Sequence, residues 1–111
     1  MIIVYGNPIP KARARVVNGH AYTPDKTLEW ENTIKSCWTG PRFASGALSI
    51  RLDFYRANNM RADWDNLAKA VTDALNMVAY HDDSQIVEAH VRKFVDKDNP
   101  RVEIQLERID G

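Results

Sequence analysis

The strongest structural signal in this sequence is "RADWDNLAKAVTDAL", residues 61–75. Apolar residues recur there at helical spacing, and the pattern predicts an amphipathic helix from about Asp65 to Val78. The opposite face is polar and includes Lys69. Two aspartates, Asp63 and Asp65, stand at the start of this helix, so the same stretch raises a question about function. The predicted apolar stripe consists of Leu67, Ala70, Val71, Ala74, Leu75 and Val78.

The segments before this helix predict two strands, a hairpin and a second helix. "MIIVY" (1–5) is typical of a short buried strand, and residues 11–24 predict an irregular hairpin that turns at Asn18-Gly19. Residues 24–39 predict a helix, which Gly40-Pro41 ends. "ALSIRLDFYR" (47–56) alternates as a half-buried strand does. The residues expected to face inward are Leu28, Ile34 and Trp38 in the helix, and Leu48, Ile50, Leu52 and Phe54 in the strand.

Two further strands are predicted after residue 83. "SQIVEAHVRKFVD" (84–96) and "RVEIQLERI" (101–109) both alternate, and Asp98-Asn99-Pro100 predicts a turn between them. This arrangement favours an antiparallel hairpin. The residues expected to face inward are Val87, Ala89, Val91 and Val95, followed by Val102, Ile104 and Leu106.

The order of these elements predicts the fold class. We expect one domain over residues 1–111, of the α+β class, with two main helices packed on one face of a small mixed sheet. The chain has 44% hydrophobic and 27% charged residues, which is ordinary for a globular domain. No apolar run approaches the ~20 residues of a membrane span, and the N-terminus has no signal-peptide pattern. With Cys37 as its lone cysteine, the chain is expected to be cytoplasmic.

Charge is unevenly distributed although the net charge is zero. Residues 1–24 contain Lys11, Arg13 and Arg15 but no acid. In an extended segment these three side chains share one face, which predicts a basic arm for phosphates. A solvated, charged edge strand is the plainer interpretation.

The acidic residues also have plain interpretations when each is taken separately. Asp65 is a preferred N-cap, or a partner for Lys69 one turn on. Asp82 and Asp83 suit the turn before a strand. Together with Asp63, however, they would concentrate negative charge at one edge if the helix packs back on the sheet.

A hard divalent cation would relieve that repulsion. Mg²⁺ and Mn²⁺ prefer carboxylate, water and phosphate oxygens. Lys69, one turn above Asp65, could stabilise charge that builds on a phosphate. The histidines, His20, His81 and His90, are too scattered for a zinc site.

At these residues the sequence resembles a known family. "DWDNLAKAVTDAL" followed by "HDDSQI" is similar to the D-x-D-N-x-x-K-x-x-x-D-A-L … D-D-x-Q-[IV] signature of the RusA family of Holliday-junction resolvases. "GNPIPKARARVVNGHAYTP" is similar to that family's G-x-P-x-x-K-x-R-x-R … Y-T-P segment. The likeness covers roughly residues 3–95. Trp64 departs from it, because an aliphatic residue is common at that position.

The resemblance implies a small homodimeric Mg²⁺- or Mn²⁺-dependent endonuclease, bacterial or phage-encoded, that makes paired nicks across a four-way DNA junction. Its metal-site aspartates match Asp63, Asp65 and Asp83, the last preferred to Asp82. Its essential lysine matches Lys69. Asn66 and Asp82 match positions of supporting role, and Lys11, Arg13 and Arg15 would hold DNA phosphates. Two alternatives stay open: an inactive protein that binds branched DNA, and a nuclease for forks or flaps.

Overall fold

The computed structural model describes residues 1–12, 15–22, 25–59 and 61–109. A short 3₁₀ helix, Asp83–Gln85, precedes the fifth strand. In chain order the main elements are β1 (Ile2–Tyr5), β2 (Arg15–Val17), β3 (His20–Tyr22), α1 (Asp25–Cys37), β4 (Leu48–Arg56), α2 (Trp64–Leu75), β5 (Ile86–Val95) and β6 (Arg101–Arg108).

A mixed sheet forms the base of the molecule. Its four strands lie in the order β1-β6-β4-β5. β5 runs parallel to β4, whereas β6 is antiparallel to both of its neighbours, β1 and β4. The predicted α+β class with a small mixed sheet and two main helices is therefore confirmed.

The predicted hairpin between the last two strands is wrong. β5 and β6 both pair with β4, which lies between them. The connecting turn crosses the end of β4, where the Asp96 amide donates to the Arg56 carbonyl at 2.8 Å. Side-chain polarity explains the placement, because Val102 and Ile104 of β6 are buried and need neighbours on both sides. The polar residues of β5 suit the edge of a sheet instead.

The core lies between the sheet and the helix layer. Leu48, Ile50, Leu52 and Phe54 are buried, as their alternation predicts. The stripe of α2 is buried against them from Leu67 to Leu75. α1 contacts β1, and α2 contacts β5, so the two helices lie side by side along the sheet. In the described part of the chain no helix is long and apolar enough to cross a membrane.

The other face of the sheet carries paired polar side chains. Arg92 makes a two-pronged ion pair with Asp53, at 2.7 and 2.9 Å. This hydrogen-bonded cation holds the pKa of the Asp53 carboxyl below its usual value. Nearby, Glu88 accepts a hydrogen bond from the Ser49 hydroxyl and contacts His90. These pairs leave the face polar.

Several residues predicted to face inward are exposed, because no other described element of the fold covers them. Leu28 of α1 is exposed, and Trp30 fills the core instead. β1 buries only Val4, because it is an edge strand. Val87 and Val95 of β5 are also exposed, since β5 lies at the other edge of the sheet. Alternation gave the faces of β4 correctly, but it does not tell which strands the helices cover.

The predicted Asn18-Gly19 turn is confirmed between β2 and β3. Asn18 has φ 52° and Gly19 has φ 79°, as a tight two-residue hairpin turn requires. Lys11 precedes β2, so it is not part of this hairpin. The expected alternation of Lys11, Arg13 and Arg15 on one face cannot be followed, because Arg13 and the side chain of Arg15 lie outside the described residues.

Candidate active site

Asp63 and Asp65 lie together at the N-terminus of α2. Asp63, not Asp65, is the N-cap residue, and its side chain makes no cap hydrogen bond. The predicted N-cap role of Asp65 is therefore wrong: Asp65 lies in the first turn, where its Oδ1 accepts the Asn66 amide at 2.9 Å. Both carboxylates are exposed, and the structure records no ion pair between either one and a described residue. The two acids thus present oxygens to solvent from one helix end.

This pair of carboxylates fits a hard divalent cation. Mg²⁺ is usually held by one or two carboxylates, with waters and substrate phosphate oxygens in its remaining positions. Asp63 and Asp65 supply that number of carboxylates, and they are open enough to admit the other ligands. The pair therefore suits Mg²⁺ or Mn²⁺ with water and phosphate ligands better than an ion whose ligands all come from the protein.

Asp83 lies at the other end of α2. Its amide donates to Oδ1 of Asn76 at 3.1 Å, and Asn76 is the C-cap of α2. Asn76 lies 13 positions after Asp63, which corresponds to about 20 Å along the helix axis. Among the described residues, no group of three acidic, histidine or cysteine side chains is close enough to hold a metal ion.

The direction of α2 explains this separation. The ammonium of Lys93, near the end of β5, donates to the Ala62 carbonyl at 2.8 Å. Asp83, three residues before β5 begins, lies instead beside Asn76. α2 therefore runs antiparallel to β5, and the acids that precede each element lie at opposite ends. The expected gathering of all these acids at one edge does not occur within one chain.

Asp82 has a structural role that separates it from Asp83. Its amide donates to Oε1 of Gln85 at 3.0 Å, and its carboxylate accepts the Ser84 hydroxyl. That hydrogen bond lowers the pKa of Asp82. The Gln85 side chain in turn donates to the Phe43 carbonyl at 3.1 Å, which anchors the turn to the loop before β4. The Asp82 carboxylate is therefore hydrogen-bonded within its own turn.

Lys69 projects from the exposed side of α2, one turn beyond Asp65. Its side chain is 59% exposed, and its Nζ lies 3.5 Å from Oδ1 of Asp73. The alternative surface pair with Asp65 is therefore not the one that forms. Oδ2 of Asp73 lies 3.3 Å from Nζ of Lys11, so Asp73 connects the two lysines.

Lys11 links three parts of the fold. Its Nζ lies 3.2 Å from Oε1 of the buried Glu31 in α1, and its amide donates to the Asn66 carbonyl in α2. Partial burial lowers the pKa of Lys11, but its hydrogen bonds and charge interactions with Glu31 and Asp73 outweigh burial and raise it overall. Lys11, predicted as a phosphate contact, thus has a structural partner that sequence reasoning missed, because Glu31 is distant in the sequence.

Lys11→Ala should therefore destabilise the protein. Glu31 would keep a buried carboxylate without its cation, a loss of about 1–3 kcal/mol in the free energy of unfolding. Urea denaturation followed by circular dichroism measures the change. Lys97→Ala, at an exposed lysine in the turn before β6, is the matched control and should change stability by less than about 0.5 kcal/mol. Equal stability of the two variants would contradict the structural role of Lys11.

A shallow groove borders Asp63. It combines the Asp63 carboxylate with two basic side chains, those of Lys11 and Arg61. Arg61 was not among the residues expected at the site, although a basic residue two positions before an acidic pair is a readable signal. The residues that line the groove are Pro10, Lys11, Ala12, Arg61, Ala62, Asp63 and Asn66.

Comparison with known proteins gives two findings. A family model described as "Endodeoxyribonuclease RusA" matches residues 5–107. The chain is also 29% identical over 134 aligned positions to "Uncharacterized protein YqaN" of Bacillus subtilis (strain 168), with 96% of this chain and 94% of that protein covered.

Proposed function

Because the chain belongs to the RusA family of endodeoxyribonucleases, we propose that it is a metal-dependent nuclease that resolves four-way DNA junctions by paired, symmetric nicks. The observation that carries this proposal is the open pair Asp63 and Asp65 at the N-terminus of α2, with Lys69 on the exposed side one turn on. A protein that only binds DNA gains no affinity from such a pair, because carboxylates repel phosphates.

Hydrolysis of a phosphodiester needs a nucleophilic water, charge relief on the phosphoryl oxygens and help for the leaving oxygen. Asp63 and Asp65 would hold Mg²⁺ or Mn²⁺, which supplies an activated water and that charge relief when bound. The ammonium of Lys69 would stabilise the extra negative charge of the transition state. Asp83 is the third acid of the proposed set.

The proposed DNA contacts are the basic residues of the N-terminal arm. Arg13 and Arg15 would hold phosphates, with affinity that falls as salt rises and carries little sequence information. Lys11, which is ion-paired and lies beside Asp63, would add positive charge to this DNA-binding surface. A homodimer with a two-fold axis would match the approximate two-fold symmetry of a junction. We place this activity in the cytoplasm, in DNA recombination and repair.

A substrate panel tests this function. Purified protein is incubated with end-labelled four-way junction, fork, flap and linear duplex, in Mg²⁺, Mn²⁺ or EDTA. We expect paired nicks in the junction with either metal and none in EDTA, because the carboxylate pair needs its cation. If forks or flaps are cut faster than the four-way junction, then they, and not the junction, are the preferred substrate. If the protein binds the junction but does not cleave it in either metal, the proposed nuclease function is wrong. The protein would then be one that only binds branched DNA.

A further inference from the structure

The ammonium of Lys69 needs a fixed position if it is to act on a bound phosphate, because a misplaced catalytic group loses much of its effect on the rate. The side chain is long and flexible, and at 59% exposure packing does not hold it in place. Among the described residues, the recorded partner of its ammonium is Asp73, whose Oδ1 lies 3.5 Å from Nζ. The position of Lys69 therefore depends on what holds Asp73.

Asp73 is anchored to the interior of the protein through Lys11. The Asp73 side chain is only 23% exposed, and its second oxygen, Oδ2, lies 3.3 Å from Nζ of Lys11. The same Nζ lies 3.2 and 3.4 Å from the two carboxylate oxygens of Glu31, which is buried in α1. Each oxygen of Asp73 thus has its own ammonium, and rotation of the carboxylate would break its contact with Lys11. The anchor therefore fixes the direction in which Oδ1 faces Lys69.

Asp65 is the competing partner for Lys69 on the same helix. It lies one turn before Lys69, and an acid one turn N-terminal to a lysine is the better orientation for such a pair on an isolated helix. The structure has the reverse pair, with Asp73 one turn after Lys69. The Asp65 carboxylate instead accepts the Asn66 amide, and no ion pair between it and Lys69 is recorded. The anchored carboxylate of Asp73 accounts for this choice of partner.

We propose that Asp73 is a positioning residue that keeps the ammonium of Lys69 away from Asp65, an inference that rests on the proposed function. Glu31, Lys11 and Asp73 together carry one net negative charge, and Lys69 neutralises it. The ammonium is thereby drawn along α2 toward Asp73. The carboxylate of Asp65 stays open for a metal ion.

The space between Asp65 and Lys69 is the reason that this separation matters. An ammonium hydrogen-bonded to Asp65 would lie about 2.8 Å from its oxygen. That leaves no room for a metal ion at about 2.1 Å from the same oxygen with a phosphate oxygen beyond it. Such an ammonium would also repel the metal ion. Drawn toward Asp73, the ammonium of Lys69 can instead approach a phosphate from the side opposite the metal ion.

The position of Lys69 is tested without metal or DNA, by nuclear Overhauser contacts from its ε-methylene protons. In the wild type we expect contacts with the β protons of Asp73. Asp73→Asn keeps the shape of that side chain but removes its charge, so Lys69 should contact Asp65 instead. Asp98→Asn, at an exposed acid in the turn before β6, is the matched control and should keep the wild-type contacts. Contacts with Asp65 in the wild type, or none with Asp65 in Asp73→Asn, would overturn the proposal.

Mn²⁺ affinity gives a second measurement, through the relaxation of water protons by bound Mn²⁺. Asp73→Asn should weaken Mn²⁺ binding by about two- to threefold, the scale of one surface ion pair on a helix. In a Lys69→Ala background the same substitution should have no effect, because no ammonium then competes with the metal for Asp65. A general effect of the lost negative charge would persist in that background and would also appear in Asp98→Asn. That result would contradict the proposal.

Single-turnover nicking of the junction separates positioning from a structural role. Asp73→Asn should slow nicking by about 10-fold, because Lys69 is then misplaced. In the Lys69→Ala background it should change the rate by less than about twofold, since the two residues act as one unit. Asp73→Glu keeps the charge and should recover part of the rate. Equal losses in both backgrounds would overturn the proposal. A wild type that neither binds Mn²⁺ nor nicks junctions would instead count against the proposed function, and the Overhauser contacts would still decide which acid holds Lys69.

Discussion

Asp63→Asn is expected to lower the rate of junction nicking by about 10³-fold or more, because a lost metal ligand removes several kcal/mol of transition-state stabilisation. The same variant should bind the junction at least as well as the wild type, since removing an anionic oxygen beside the DNA does not weaken phosphate contacts. Nicking in Mg²⁺ and a gel-shift titration in Ca²⁺ measure the two quantities.

The fold offers a clear control for this variant. Asp63 has no cap hydrogen bond, so its carboxylate is not needed to hold α2 in place. Thermal unfolding of Asp63→Asn should accordingly stay close to that of the wild type. Asp82→Asn is the matched acidic control: Asp82 holds its own turn, and its replacement should reduce activity far less than that of Asp63. Wild-type nicking by Asp63→Asn would remove this residue from the site.

Lys69→Ala should reduce nicking by about 10²–10³-fold, the usual cost of losing one group that stabilises developing charge. The ammonium is largely exposed, and its contact with Asp73 is a surface pair on one helix. Such pairs contribute only a few tenths of a kcal/mol to stability, so unfolding should hardly change. Single-turnover nicking rates at saturating protein separate the chemical step from DNA binding.

Lys69→Arg and Lys97→Ala complete this test. Arginine keeps the positive charge and should recover part of the lost rate, although its planar group does not reproduce a compact ammonium. Lys97 is exposed in the turn before β6, and its loss should leave the chemical step unchanged. An equal loss of rate in Lys69→Ala and Lys97→Ala would mean that general positive charge, and not Lys69, assists the reaction.

Local patterns predicted the separate elements well. The alternation of β4 and the helical stripe of α2 identified their buried faces, because each element has one face that must leave water. The Asn18-Gly19 turn was equally readable, since few residues accept positive φ. These signals depend on neighbours in the sequence, which is why they could be read without a structure.

Relations between distant elements could not be read in the same way. Alternation in β5 and β6 is compatible with a hairpin, and equally with two strands that flank β4. The structure has the flanking arrangement, in which Val102 and Ile104 are buried. The acidic motif likewise predicted Asp63 and Asp83 as site residues, but it did not predict the direction of α2 against β5 that separates them. The partnership of Lys11 with Glu31 depends on how the arm packs on α1.

The position of β6 between β1 and β4 has a consequence for synthesis on the ribosome. Among the described strands β1 pairs only with β6, so it has no partner in the sheet until residues 101–108 have been made. Pairings between such distant segments require closure of a long loop before any contact compensates for it, which slows folding. We therefore expect a nascent chain that ends before β6 to expose its apolar strand faces, and chaperones to bind it at that stage.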